Sequence, residues 1–392
     1  MVKKKENNLK HKPYLSYYTK NNIIPVVKLN NQNLKKLNFQ RDSLFNVLKL
    51  DKKLLLNSSI LEIGPGTGYN AFYLINNKIK CIDLVEGNIS SIDYIKNTLI
   101  KVNKVKYKIF NCDFNNFNSN KKYDFVICEN VLSGLNNPKF FLKKMSSYVK
   151  KNGYLIINCS DNVSLLSEKI RGLISMLILE SNSNFKDTTF EDKTKILSNI
   201  FIKHMSSLKS FTRQIDDWVQ DVLLYKFWWK KKKYFSILES IKAVEKQFNF
   251  YSSSPSFFED YTWYKKIKND HFNNLAKKEF LLNQHNFLDN RTFNFKISIK
   301  ENIKLNKIID SIASDILKLE PKKITNLIKN LNKLEKFYGT LGHESKLTCK
   351  SIKNVSDILT EYGSSKKINI NKLDNIKKWW GFGTQYVVFK KN

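Results

Sequence analysis

The stretch Ile60–Asn70, ILEIGPGTGYN, constrains the fold more than any other part of the chain. An apolar run climbs to Glu62, and glycines follow at Gly64, Gly66 and Gly68. Ala71, Phe72, Leu74 and Ile75 then recur with the spacing of one helix face. The pattern predicts a strand, a tight turn and a helix. Glycine tolerates positive φ and lets a ligand approach the backbone closely. A helix start adds free N–H groups and the positive end of the dipole. Such a turn can cradle a nucleotide or a nucleotide-like cofactor. A glycine turn without any ligand is the alternative.

The next residues repeat the strand–helix alternation. Lys80–Val85 is apolar and ends in Glu86-Gly87-Asn88, at a distance that suits one intervening helix, so the two strands form a βαβ unit. An acid at the tip of the second strand is where such folds hydrogen-bond a ribose diol. Glu86 fits because it ends the run; Asp83, earlier in the strand, is second choice. Ser90–Val102 reads as a helix and Tyr107–Phe110 as the third strand, followed by Cys112-Asp113-Phe114. Lys121–Cys128 is a continuous apolar strand of the buried parallel kind, ending in Glu129. Pro138–Val149 is an amphipathic helix and Gly153–Asn158 a fifth strand, ending at Ser160-Asp161. Five alternations predict a doubly wound α/β sheet with its ligand at the carboxyl ends of the strands.

ILEIGPGTGYN, LVEGN, NCDF, YDFVICENVL and GYLIINCSD resemble, in order and spacing, motifs I to VI of the class I S-adenosylmethionine (SAM) methyltransferases, over roughly residues 55–161. The spacing G-x-G-x-G departs from the G-x-G-x-x-G of nicotinamide sites. With Glu62 just ahead, it suits a zwitterionic amino-acid tail better than a pyrophosphate. The resemblance implies SAM as cofactor, with Glu62, Gly64, Gly66 and Gly68 at its methionine end. It places Glu86 on the ribose, Asp113 and Phe114 around the adenine, and Glu129 near the sulfonium. It also implies a Rossmann-like sheet closed by an antiparallel hairpin, for which Phe248–Ser252 and Gln385–Phe389 are the candidate strands. A large helical insertion lies between them, longer than an ordinary loop. The GPGTGYN turn, RQIDDWVQD, SSSPSFFEDYTWYK and GFGTQYVVF also resemble bacterial methyltransferase-like proteins of unassigned substrate.

The expected organisation is an N-terminal extension over 1–50 and a SAM-binding core over 51–257 that includes a helical segment at 163–245. A helical insertion over 258–378 and a returning strand over 379–392 complete it. After strand five, Val163–Leu179 and Glu191–Leu208 have helical period, and RQIDDWVQD follows. A helical excursion from that sheet edge is expected to form a lid and acceptor pocket. Arg213, Asp216, Asp217 and Trp218 could clamp an anionic or hydroxylated acceptor, although acids on the first turn of a helix explain the pattern as well. Trp263 and Tyr264 are candidate pocket-lining rings or core. His204 and His343 are candidate bases, but a lone histidine is more often structural. No acid–base motif is visible, so the catalytic residue is not assigned.

The chain has 392 residues, 42% apolar, with 68 Lys+Arg against 35 Asp+Glu and a formal charge of +33. Such a charge attracts nucleic acid, anionic membrane or acidic substrates. Lysine is spread through an Asn- and Ile-rich sequence, however, and the short clusters Lys3–Lys5 and Lys230–Lys233 read as solvated faces. Five cysteines lack any metal or C-x-x-C spacing, so no metal site and a reducing cytoplasm are expected. The apolar window Leu173–Leu179 is too short to cross a bilayer. The expected function is methyl transfer from SAM to a small-molecule, sugar or lipid-linked acceptor. The alternatives are a protein or RNA methyltransferase, or a SAM-fold binding protein without methyl transfer. No N-P-P-Y or D-P-P-Y follows strand four, which disfavours amide or amine methylation in nucleic acids.

Overall fold

A computed structural model describes residues 13–21, 23, 31–99, 105–182, 185, 188–208, 213–258, 265, 271–292, 294–318 and 324–392. The chain separates into two compact units. The first comprises Met1–Cys159, Phe235–Phe280 and Thr384–Asn392; the second comprises Ser160–Tyr234 and Leu281–Gly383. The boundaries differ from those expected. Most of 163–245 groups with the later helices rather than with the sheet.

The first unit is built on seven strands in the order β3-β2-β1-β4-β5-β7-β6. β1 (Ser59–Ile63), β2 (Cys81–Val85), β3 (Lys106–Phe110), β4 (Tyr123–Cys128) and β5 (Val149–Cys159) run parallel. β7 (Gln385–Lys391) enters antiparallel between β5 and β6 (Phe248–Ser254). The expected closing hairpin is therefore present, with each strand two residues longer than its apolar pattern suggests. β1, β4 and β5 lie inside the sheet, which explains their unbroken apolar runs. β6 is an edge, and the Asn273 side chain occupies its backbone: it accepts from the Phe250 N–H at 2.7 Å and donates to the Phe248 carbonyl at 2.8 Å. That caps groups which would otherwise template pairing with another chain.

Helix α1 (Asn31–Val47) precedes the sheet, and α2 (Tyr69–Asn76), α3 (Ile89–Leu99) and α4 (Pro138–Ser147) follow β1, β2 and β4. Phe45 and Leu48, at and just past the end of α1, pack with Leu74, Ile82, Ile95, Phe125 and Ile156 in one core. Asn137 caps α4 by accepting from the Phe140 N–H, with Pro138 in the first turn.

Register sets the functional edge. Ile63 is level with Val85 on one side and with Cys128 on the other. The glycine turn, Glu86 and Glu129 therefore leave the sheet at one height, at the carboxyl ends of three adjacent strands.

The second unit is helical. α5 (Leu166–Ser181) is buried along most of its length, which accounts for its apolar sequence among the described residues without a membrane. No described helix is long and apolar enough to cross a bilayer. Two basic side chains, Lys169 and Arg171, are buried inside this unit. Lys169 donates to the carbonyls of Trp229 and Lys231, at 3.0 and 2.6 Å. Arg171 donates to the Ser167, Ile376 and Trp379 carbonyls and to His204 Nδ1, and stacks 3.7 Å over the Trp380 ring. Burial, and secondarily the Arg171 charge, push His204 down to about 2, so this fully buried ring is a neutral acceptor and not a base. His343 opens a short turn at the start of the last long helix. α6 (Phe190–Ser206) also belongs to this unit, as do α8 (Ile299–Leu317), α9 (Ile324–Gly339) and α10 (Lys346–Ser365). α7 (Ile237–Val244) belongs to the first unit and starts with a complete capping box, Ser236 with Glu239.

Candidate cofactor site

The site grows from the turn between β1 and α2. Gly64, Gly66 and Gly68 have φ of +70°, +57° and +83°. A Cβ on Gly64 would lie 2.6 Å from Val131 Cγ2, so the turn is packed on that side. A Cβ on Gly66 would meet nothing within 4 Å. Gly66 is therefore where the backbone lies open to a ligand.

Glu62, the last-but-one residue of β1, is 3% exposed. Its Oε1 accepts from Asn70 Nδ2 at 2.9 Å, while Oε2 is buried without a hydrogen-bond partner. Burial pushes this carboxyl up to about 7; Asn70 and Arg41 oppose the rise, and Glu129 and Glu86 add to it. A buried carboxylate oxygen left without a donor is costly unless a ligand supplies one. An ammonium does so, which fits the methionine end of SAM.

Glu86 links two loops. Its Oε2 accepts from the Gly66 N–H at 3.0 Å and its Oε1 from the Asn88 N–H at 2.8 Å. Burial raises its pKa against these backbone bonds. Each oxygen still has capacity for a further donor, as a ribose diol requires. The second choice, Asp83, is placed elsewhere: it accepts from the Tyr123 hydroxyl at 2.7 Å and from Lys121 at 3.0 Å. That is a structural role inside the sheet.

Asp113 caps the short turn Phe114–Asn116 by accepting from the Asn115 N–H at 2.8 Å. Phe114 is not free to cover an adenine. It is 4% exposed and packs against Phe117, Phe141 and Tyr148, so it anchors the loop from beneath.

Glu129 is clamped. Both carboxylate oxygens take a hydrogen bond from the Arg41 guanidinium, at 2.7 and 2.9 Å, and Oε2 also accepts from the Tyr386 hydroxyl at 2.7 Å. Burial, the largest single influence, lowers Arg41, but the Glu129 charge, the Tyr386 charge, the hydrogen bond to Glu129 and the Glu62 charge together outweigh it and raise the guanidinium. The Arg41 and Glu129 side chains stay 16% and 14% accessible, so the pair remains open to a ligand. Asn130, next in the chain, has φ of +58° and donates its N–H to Asn158 Oδ1 at 3.0 Å.

Arg213, Asp216 and Trp218, candidates for the acceptor, lie in the helical unit. Arg213 is ion-paired with Asp221. Asp216 accepts from the Ser198 hydroxyl. Trp218 is 4% exposed, edge-on to Phe201 and Trp380, which makes it core. Trp263 and Tyr264 lie outside the described residues. Sequence reasoning missed Arg41, Asn70 and Tyr386. Asn70 was the most accessible of the three, because it closes the glycine motif itself.

A family model described as a methyltransferase domain matches residues 37–208. Ubiquinone biosynthesis O-methyltransferases from Rickettsia akari and Rickettsia canadensis are each 31% identical over 101 and 102 residues. These matches take in 25% of this chain and 39% and 41% of the relatives, so the chain spans about two fifths of their length. Among solved structures, the N-methyltransferase NodS from Bradyrhizobium japonicum, in complex with S-adenosyl-L-homocysteine, is 17% identical with a TM-score of 0.28. That match covers 32% of this chain and 63% of NodS. TehB from Haemophilus influenzae is 24% identical with a TM-score of 0.26, covering 29% and 40%.

Proposed function

We propose that this chain, whose residues 37–208 match a methyltransferase-domain family model, is a class I SAM-dependent enzyme that transfers a methyl group to a small-molecule, sugar or lipid-linked acceptor. The observation that carries the reading is the unpartnered Glu62 Oε2, buried beside a glycine turn whose Gly66 Cβ direction is open. SAM supplies an activated methyl on a sulfonium, so the protein's part is to bind, orient and exclude water. Glu62 holds the ammonium of the methionine end, with Asn70 fixing the carboxylate. The Gly66 backbone lets the cofactor lie against the turn. Glu86 takes the ribose hydroxyls while its bonds to Gly66 and Asn88 keep both loops in place. Asp113 stands near the adenine end. Arg41 and Tyr386 fix the Glu129 carboxylate at the end of β4, on the side where the sulfonium is expected.

The named relatives are O-methyltransferases of ubiquinone biosynthesis, which supports a small hydroxylated acceptor. Calorimetry with SAM and with S-adenosyl-L-homocysteine tests the cofactor assignment. Metabolite profiling of an extract supplied with methyl-labelled SAM then tests the acceptor class. Label in a low-molecular-weight product, with S-adenosyl-L-homocysteine released, is expected. Label in protein or RNA selects the alternative acceptors, and SAM binding without turnover selects a binding protein.

A further inference from the structure

The segment Tyr225–Phe235, YKFWWKKKKYF, contains five lysines and no acid. Through Tyr234 it belongs to the helical unit, where it is a built loop rather than a loose tail. Trp229 is 1% exposed, packs on the α5 backbone where Gly172 makes room, and donates its indole N–H to the Leu223 carbonyl at 2.9 Å. Lys169 holds the carbonyls of Trp229 and Lys231 from within, and Asn162 holds that of Lys232 at 2.9 Å. With its backbone fixed, the loop leaves Lys226, Lys232 and Lys233 exposed and Lys230 and Lys231 half-buried. Glu180 approaches Lys226 at 3.9 Å. Burial lowers the ammonium of Lys230, and the neighbouring Lys226 charge lowers it further.

We propose that this lysine-rich loop is a docking surface for an anionic phospholipid bilayer, and that the protein binds such membranes peripherally through it. Charge complementarity carries the choice of partner. Five ammoniums on eight consecutive residues make a compact positive patch, and lysines near an anionic bilayer each contribute favourably. The Lys230 Nζ lies over the Trp229 ring, and the Lys231 Nζ over the Phe227 and Tyr234 rings, 5.5–5.8 Å from the ring centroids, so the ring faces under the patch carry ammonium groups. The same geometry disfavours single-stranded nucleic acid, which needs free ring faces for base stacking. Phe227 is stacked with Tyr225, and Trp228 is edge-on to Tyr234. The patch has no arginine, the residue that reads phosphates bidentately. The inference stands apart from the methyltransferase assignment and does not depend on it.

Sedimentation with vesicles of phosphatidylcholine, with and without about one-third phosphatidylglycerol, tests it at two salt concentrations. The full chain is expected to pellet with the anionic vesicles only, and less at high salt. At roughly fivefold per lysine before screening, the variant K230Q/K231Q/K232Q/K233Q should lose at least about tenfold in partitioning. A matched control, K346Q/K350Q/K353Q/K367Q, removes four exposed charges elsewhere in the same unit and should stay within about twofold. K232E/K233E changes only exposed side chains, so it reads the same effect if the quadruple variant folds poorly. Equal losses in cluster and control variants, no preference for anionic vesicles, or displacement of the vesicles by polyuridylate at physiological salt would each overturn the proposal.

Discussion

Glu62→Gln separates stability from cofactor binding at one residue. In the folded protein the Glu62 carboxyl rises to about 7, chiefly because it is buried. In the unfolded chain it titrates near the ordinary glutamate value of about 4.3. The folded state therefore binds the proton more tightly than the unfolded one. The group's contribution to stability is fully present below the unfolded value and is lost as pH rises through about 7. A rise of that size corresponds to about 3 kcal/mol lost by pH 8. Glutamine keeps the shape and the Asn70 contact but has no charge to bury. Denaturant unfolding at pH 5, 6.5 and 8 should show the variant gaining on the parent as pH rises, by up to about 3 kcal/mol at pH 8. SAM affinity should move the other way. An ammonium loses a charged partner worth roughly 1.5–3 kcal/mol, so Kd should rise about 10- to 100-fold. In the parent, protonation of Glu62 competes with the ligand, and Kd should rise about tenfold per pH unit below 7. A variant that is less stable than the parent at pH 8, or that binds SAM equally well, would falsify the reasoning.

Glu86→Ala should weaken SAM roughly 10- to 100-fold by calorimetry, whereas Asp83→Ala should leave SAM affinity intact and lower Tm, because it strands the buried Tyr123 hydroxyl. Gly66→Ala places a methyl in the open space a ligand would use and asks alanine to hold φ of +57°. It should keep the circular dichroism spectrum, lose about 1 kcal/mol of stability and bind SAM at least tenfold more weakly; unchanged affinity would show that the turn does not face the cofactor. Arg213→Ala should lower Tm through loss of its Asp221 partner while SAM affinity stays constant. A variant with unchanged Tm and a large fall in methyl transfer would restore the acceptor clamp expected from the sequence.

The sheet was legible because its evidence is local. Each strand is a short apolar run, each strand end is marked by a turn residue or an acid, and the glycine spacing selects the turn. The fate of each side chain was harder to read. Phe114 follows Asp113 in a motif that suggests a stacking ring, yet Phe117 three residues on, and Phe141 and Tyr148 from α4 and its C-terminal end, claim it. Trp218 lies beside acids on a polar-looking segment, and its neighbour Trp380 comes from 162 residues further on. The division of 163–245 was missed for a related reason. Helical periodicity shows that a face will be buried but not which partner buries it.

The clamp on Glu129 illustrates the same limit where it matters most for chemistry. Arg41 is 88 residues before it and Tyr386 is 257 residues after it. No window of sequence contains two of the three. Arg41 stands at the start of an apolar helix face, where a charge looks like a solvated exception. Register explains the assembly, since the ends of β1, β2 and β4 are level and bring Glu62, Glu86 and Glu129 to one edge. Glu62 feels both other acids and the single arginine. Arg41 is committed bidentately to Glu129, which leaves the charge at Glu62 without a protein counter-ion at hydrogen-bond distance. Three carboxylates against one guanidinium make a site with surplus negative charge, which either a proton on Glu62 or a bound cation relieves. SAM brings two cationic centres, an ammonium and a sulfonium, so cofactor and cleft each supply the charge the other lacks.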